Sequence, residues 1–318
     1  MVDTTRMATR ATDDTDNTDQ VSEIASKVIG TLIGVLAVLA FGMGTALAGP
    51  RLAFQVEVIG RGPAMIFIPG LNSSGAVWKS VVEHFQDRYT CHVLTLAGFA
   101  GQPPIEPPFL PVVRDAVLQY IDERRLERPV IVGHSLGGFL ALWIGATAPD
   151  RVGPIVAVDG VPFLPALMNP SATADTARVQ AEAIRTAMRN ASAEERAQQS
   201  AMSLAAMISD PAHVKVAEQW AAASDPATTS QAIVELMTTD LRSDVQKITA
   251  PVLLVAAAGQ FASSPGALEQ IEKSYERQLA LIPQHQTIVA GKARHFVMLD
   301  DREFLTQAID AFLVRHAK

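Results

Sequence analysis

Short unbroken apolar runs alternate along this chain with stretches whose apolar positions recur every three to four residues. Ala64 to Ile68, Tyr89 to Leu96, Arg128 to Val132, Ile155 to Val158, Pro251 to Val255 and Thr287 to Val289 read as strands. The run at 64–68 has the continuous apolar character of a central parallel strand. Leu52 to Ile59 alternates instead, which predicts an antiparallel edge strand, and Arg61-Gly62-Pro63 follows as a turn. Helical periodicity covers Val77 to Phe85, Val112 to Leu126 and Glu303 to Val314, and a buried helix starts at Gly138. Gly98 to Pro111, with five prolines and two glycines, is expected to be loop. Strands alternating with helices predict the α/β class, with a mostly parallel, doubly wound sheet.

The texture changes between Val161 and Ile248, where strand signals vanish and Ala, Met, Gln, Ser and Thr dominate. Helices are expected near 173–190, 193–208, 211–223 and 227–239. Ser192 opens a Ser-Ala-Glu-Glu capping box, and Asp225 precedes Pro226 at a first helical position. The predicted organisation is a core formed by 49–160 and 249–318, with an all-helical insertion over 161–248.

Residues 1–48 stand apart. The first twenty are rich in Thr and Asp and read as disordered. Val28 to Ala48 is apolar and uncharged, and Ala46-Leu47-Ala48 fits a signal-peptidase site. The expectation is export to the periplasm or exterior. The alternatives are membrane attachment through an uncleaved 28–48 helix, since the stretch is long enough to span a bilayer, and a helix packed on the domain.

Charge and composition narrow the function classes. The formal net charge is −7 with a pI near 5.5, and no basic stripe appears, so nucleic acid is not an expected partner. The single cysteine, Cys91, lies in a predicted strand and reads as an apolar filler; one cysteine can form neither an internal disulfide nor a cysteine metal cluster.

The candidate chemistry centres on Gly133-His134-Ser135-Leu136-Gly137. Strand, G-x-S-x-G and helix is the context of a nucleophile elbow, in which a sharp turn exposes the serine oxygen at a strand's carboxyl end. A serine hydroxyl needs a base to become nucleophilic at neutral pH. Of seven histidines, His295 follows the last strand and a short loop, which puts it on the same rim as Ser135. His84, His213, His285 and His316 read as solvated surface. The oxyanion would need backbone donors, expected from Leu136 and from Leu71 in Pro69-Gly70-Leu71-Asn72.

These pieces, Pro69-Gly70-Leu71, Gly133 to Gly138, the 251–255 strand and Arg294-His295-Phe296, resemble an α/β-hydrolase-fold serine hydrolase over roughly 52–316. The resemblance implies hydrolysis through an acyl-serine intermediate, with neither metal nor organic cofactor, and it matches the insertion to the family's cap. A small ester with an apolar portion is the expected substrate. A cofactor-free haloperoxidase-type activity, carbon–carbon bond hydrolysis and a non-catalytic binding role stay open.

The chain departs from the family pattern where an aspartate often follows the strand after the cap. That place reads Ala256-Ala257-Ala258-Gly259-Gln260-Phe261-Ala262-Ser263-Ser264. Asp159, ending the strand after the elbow helix, is the expected acid, because an apolar strand that ends in a carboxylate needs a partner for that charge. The competing reading makes Asp159 a loop cap, and Asp240 and Asp244 are weaker candidates. Phe163, Leu164 and Met168, soonest after Asp159, are expected to line the substrate pocket.

Overall fold

The unbroken apolar runs form the middle of the sheet. The computed structural model describes residues 53–259 and 266–316. The predicted leader and the stretch from Gln260 to Ser264 lie outside the described residues. Seven strands run β1 (Phe54–Gly60), β2 (Ala64–Ile68), β3 (Thr90–Leu96), β4 (Val130–His134), β5 (Ile155–Val158), β6 (Val252–Ala257) and β7 (His285–Ala290). Their order is β1-β3-β2-β4-β5-β6-β7. β1 pairs antiparallel with β3, and the remaining pairs are parallel.

Alternation along each strand sorts side chains onto the two faces. Ile66 and Ile68 of β2 join one apolar cluster, with α2 (Phe109–Glu123), α3 (Leu136–Thr147) and the end of α9 (Ala267–Leu279). Met65 and Phe67 join the other, with α1 (Lys79–Phe85), α10 (Val297–Asp300) and α11 (Arg302–His316). Cys91 lies in this second cluster, fully buried, and burial pushes its thiol up to about 11. Edge strand β1 is half exposed, whereas β4 and β5 are buried throughout.

Between β5 and β6 the chain is helical: α4 (Pro165–Met168), α5 (Ala174–Asn190), α6 (Ala193–Met207), α7 (Pro211–Ala222) and α8 (Pro226–Thr238). Ser192 and Glu195 cap reciprocally at the head of α6, and Asp225 caps α8 before Pro226. Thr173 with Thr176, and Asp210 before Pro211, do the same for α5 and α7. α5 packs on α8, and α6 on α7.

Two boundaries differ from expectation. Helix α2 starts at Phe109, inside the predicted loop, and keeps Pro111 in its first turn. A proline is tolerated there because its position has no intrahelical N–H bond to lose. The freed N–H groups of Phe109 and Leu110 donate to the Glu235 carboxylate of α8, at 2.8 and 2.6 Å. Strand β7 begins earlier than predicted, with His285. That residue is half-buried, bonded through Nδ1 to the Ile282 carbonyl and through Nε2 to Glu276, and not solvated surface.

Candidate active site

The strand order creates the crevice. From β2 the chain leaves toward β3, and from β4 it leaves toward β5, so the loops at their carboxyl ends diverge. Ser135 sits at the end of β4 in that gap. Its φ of 52° and ψ of −117° lie outside the ordinary regions for a side-chain-bearing residue, a strain of about 1–3 kcal/mol. Its N–H donates to Val158 O at 2.8 Å, tying the turn to β5. The flanking glycines permit the turn by close backbone packing. A Cβ at Gly133 would stand 2.0 Å from Gly137 O, and one at Gly137 would stand 2.2 Å from Ile68 O.

The next strand end supplies a carboxylate. Asp159 follows β5, itself at φ 48°, and its N–H donates to Val255 O at 2.8 Å. Its Oδ2 lies 2.5 Å from His295 Nδ1. Since a carboxylate only accepts, Nδ1 carries the proton, which leaves Nε2 as a bare lone pair. Oδ1 accepts from the Ala257 N–H at 2.9 Å and from the Tyr275 hydroxyl at 2.7 Å. The Asp159 side chain is 8% exposed and that of His295 is 25%, so the acid is covered while the imidazole reaches the crevice. The end of β6 thus contributes a backbone donor to Asp159. Asp240 and Asp244 are occupied elsewhere, by Arg242 at 2.5 Å and Lys247 at 2.6 Å.

His134, passed over in the sequence, underlies the site. It is fully buried, and its ring centroid lies 4.6 Å from that of His295. Nε2 is 3.0 Å from the His295 carbonyl, so it must donate, and Nδ1 is buried with no partner. Burial first, and the neighbouring His295 second, hold its pKa well below the ordinary histidine value. The sign of the linkage follows. Below about pH 6.5 the unfolded chain binds a proton that the folded chain refuses, so stability is lost as pH falls, by about 1.4 kcal/mol per unit. His92, buried against Tyr120, is lowered likewise by burial and by Arg124. Urea unfolding between pH 7.5 and 5 should therefore show falling stability, with a shallower slope in His134→Gln. An unchanged slope in that variant would remove His134 as the source.

The loop after β2 closes the other side. Gly70 lies against the elbow: a Cβ there would stand 2.9 Å from His134 Nδ1 and 3.3 Å from Ser135 Cβ. Leu71 follows, then Asn72 at φ 55°, and Ser73 N–H turns back to Gly70 O. Leu136 opens α3, where the first N–H groups have no intrahelical acceptor. Leu136 thus adjoins Ser135 along the chain, and Leu71 follows the glycine packed against it. The bonds of His295 within the described residues run to Asp159 and His134, and none runs to Ser135 Oγ.

The insertion grips the loops on both sides. Thr229 of α8 donates to Asn72 Oδ1 at 2.6 Å. Ser209, between α6 and α7, bonds Asp300 through both its N–H and its hydroxyl, and Asp300 accepts from Arg294 N–H beside His295.

The expected pocket residues do not share one buried site. Met168, at the end of α4, is 92% exposed, and Leu164, just before that helix, is 41% exposed. Phe163 is buried, but in a small cluster with Ala166, Ala172 and Ala177, its ring under the Arg242 guanidinium at 4.7 Å. It anchors the start of the insertion.

Known proteins resemble this chain in family and in fold. A profile described as the alpha/beta hydrolase family matches residues 65–308. A pimeloyl-[acyl-carrier protein] methyl ester esterase of Nitrosomonas europaea is 25% identical over 73% of this chain and 91% of its own length. The Vibrio campbellii protein of the same name is 33% identical, over 33% of this chain and only 40% of its own length. Among solved structures, a bromoperoxidase from Bacillus anthracis superposes with a TM-score of 0.69 at 18% identity, covering 82% of this chain and 95% of that one, a likeness of fold.

Proposed function

The chain belongs to the alpha/beta hydrolase family, and from that premise we propose that it is a serine hydrolase that cleaves a carboxylic ester with an apolar portion. The observation that carries this reading is the His295 Nδ1–Asp159 Oδ2 hydrogen bond, formed beside a strained, glycine-flanked serine. Ser135 Oγ attacks the ester carbonyl, and its proton passes to His295 Nε2. The N–H groups of Leu71 and Leu136 receive the charge that builds on the carbonyl oxygen. Collapse breaks the carbon–oxygen bond to the alcohol, which leaves with the proton from His295. Water then attacks the acyl-serine, gives a proton to His295 and releases the acid, and that proton returns to Ser135. The Ser135–His295 hydrogen bond is the link that forms with substrate in place; such bonds are commonly long before substrate arrives.

Ester specificity is supported by the relatives, which are named as methyl ester esterases. Leu71, half-buried in the loop after β2, favours an apolar acyl or alkyl group. The helices between β5 and β6 act, on this reading, as a cap over the crevice.

A fluorophosphonate probe tests the reading. Wild-type protein should be labelled and Ser135→Ala should not, and p-nitrophenyl esters of graded acyl length should be hydrolysed with a defined optimum. Folded wild-type protein that takes no label would instead support a binding protein on a hydrolase scaffold.

A further inference from the structure

Helix α9 presents two polar side chains, one turn apart, to the segment that carries Asp159. Gln278 accepts from Phe163 N–H at 3.0 Å, and Tyr275 donates to Asp159 Oδ1 at 2.7 Å. A buried hydroxyl is costly unless bonded, and Asp159 is the acceptor that Tyr275 has. Burial first, and the Asp159 charge next, push the tyrosine pKa well up, so the group stays a neutral donor at working pH.

We propose that Tyr275 is a positioning residue for the base: with Ala257 N–H it fixes one carboxylate oxygen of Asp159, so that the other is aimed at His295 Nδ1. This rests on the serine hydrolase reading above. The reasoning concerns torsion. A carboxylate at a strand end can turn about its last bond, and the hydrogen bond to His295 restrains only one oxygen. The Ala257 N–H and the Tyr275 hydroxyl arrive at the second oxygen from different elements, β6 and α9, and together remove that freedom. They also draw charge from the carboxylate, which moderates its pull on the imidazolium formed during turnover. Among the described residues, the other titratable or charged groups near the pair have partners of their own. His134 of β4 is neutral and bonded to the His295 carbonyl. The Arg294 guanidinium donates to the Ala205 and Ile208 carbonyls, and Asp300 is held by Ser209 and the Arg294 N–H.

The test is Tyr275→Phe in the full chain, which keeps the ring and removes one oxygen. At pH 7.5 kcat and the rate of fluorophosphonate labelling should fall about ten- to a hundredfold, with KM within about twofold. The pH of half-maximal rate on the acid side should rise by about half a unit to one unit, because the carboxylate left with fewer donors holds the imidazolium proton more tightly. Gln278→Met loosens the same helix face without touching Asp159, so it should lower Tm and leave that pH midpoint where it was. Wild-type labelling rate and midpoint in Tyr275→Phe would overturn the role of Tyr275, as would an equal midpoint shift in Gln278→Met. Wild-type protein that fails to label at any pH would overturn the hydrolase reading itself, and this role with it.

Discussion

Asp159→Asn is expected to lower kcat by about four orders of magnitude and to leave the fold intact, because it installs the wrong histidine tautomer. The direction follows from the donors around the side chain. In the native protein Oδ1 accepts from Ala257 N–H and the Tyr275 hydroxyl, and Oδ2 faces His295. An asparagine has one acceptor oxygen and one donor nitrogen. Two fixed donors demand the oxygen at the Oδ1 place, which turns the NH2 group toward His295 Nδ1. That nitrogen must then accept, so the ring proton moves to Nε2, and the lone pair needed by Ser135 is gone. Steady-state kinetics on a p-nitrophenyl ester, with circular dichroism to establish folding, measures the effect. Asp240→Asn and Asp244→Asn, which disturb only local pairs with Arg242 and Lys247, should stay within a few-fold of wild type. A near-normal Asp159→Asn beside a dead Asp240 or Asp244 variant would sink the assignment.

Gly133→Ala is expected to have the largest effect on stability, about 3–5 kcal/mol. The added methyl would stand 2.0 Å from Gly137 O and 2.6 Å from Gly138 N. Both are backbone atoms of the first turn of α3, so no side-chain rotation relieves the overlap. Strand β4 and helix α3 would have to separate, and each is buried on every side. The thermal midpoint should fall by roughly 10 °C or more, and labelling at Ser135 should fall with it. Gly101→Ala is the informative contrast. That glycine has a positive φ, of 84°, which Gly133 does not, and nothing lies within 4 Å of the new methyl. Its cost should be confined to backbone strain, about 1–2 kcal/mol. A melting loss in Gly133→Ala no larger than that in Gly101→Ala would mean that close packing is not what the elbow glycine supplies.

What the amino-acid sequence determines here is local. Ser135 is legible because an elbow needs a buried strand, small residues at fixed offsets and a helix, all within a dozen consecutive positions. The capped helices between β5 and β6 are legible for the same reason, since Ser192 and Asp225 act on N–H groups two or three residues away. Asp159 can be singled out as a charge ending an apolar strand, although its partner is 136 residues distant. Tertiary structure alone decided the rest. The start of α2 was misplaced because its cap, Glu235, comes from 126 residues further along the chain. Tyr275 carries no signal of its own in the sequence, because the sheet register brings it to Asp159 from 116 residues away. The exposure of Met168 and the enclosure of Phe163 depend on how the insertion lies down. Hydrophobic period and turn sterics act between neighbours and are written in order along the chain. The hydrogen bonds that aim Asp159 at His295, and the burial that holds His134 neutral beneath them, depend on the order in which parallel strands stack, which no stretch of the sequence states by itself.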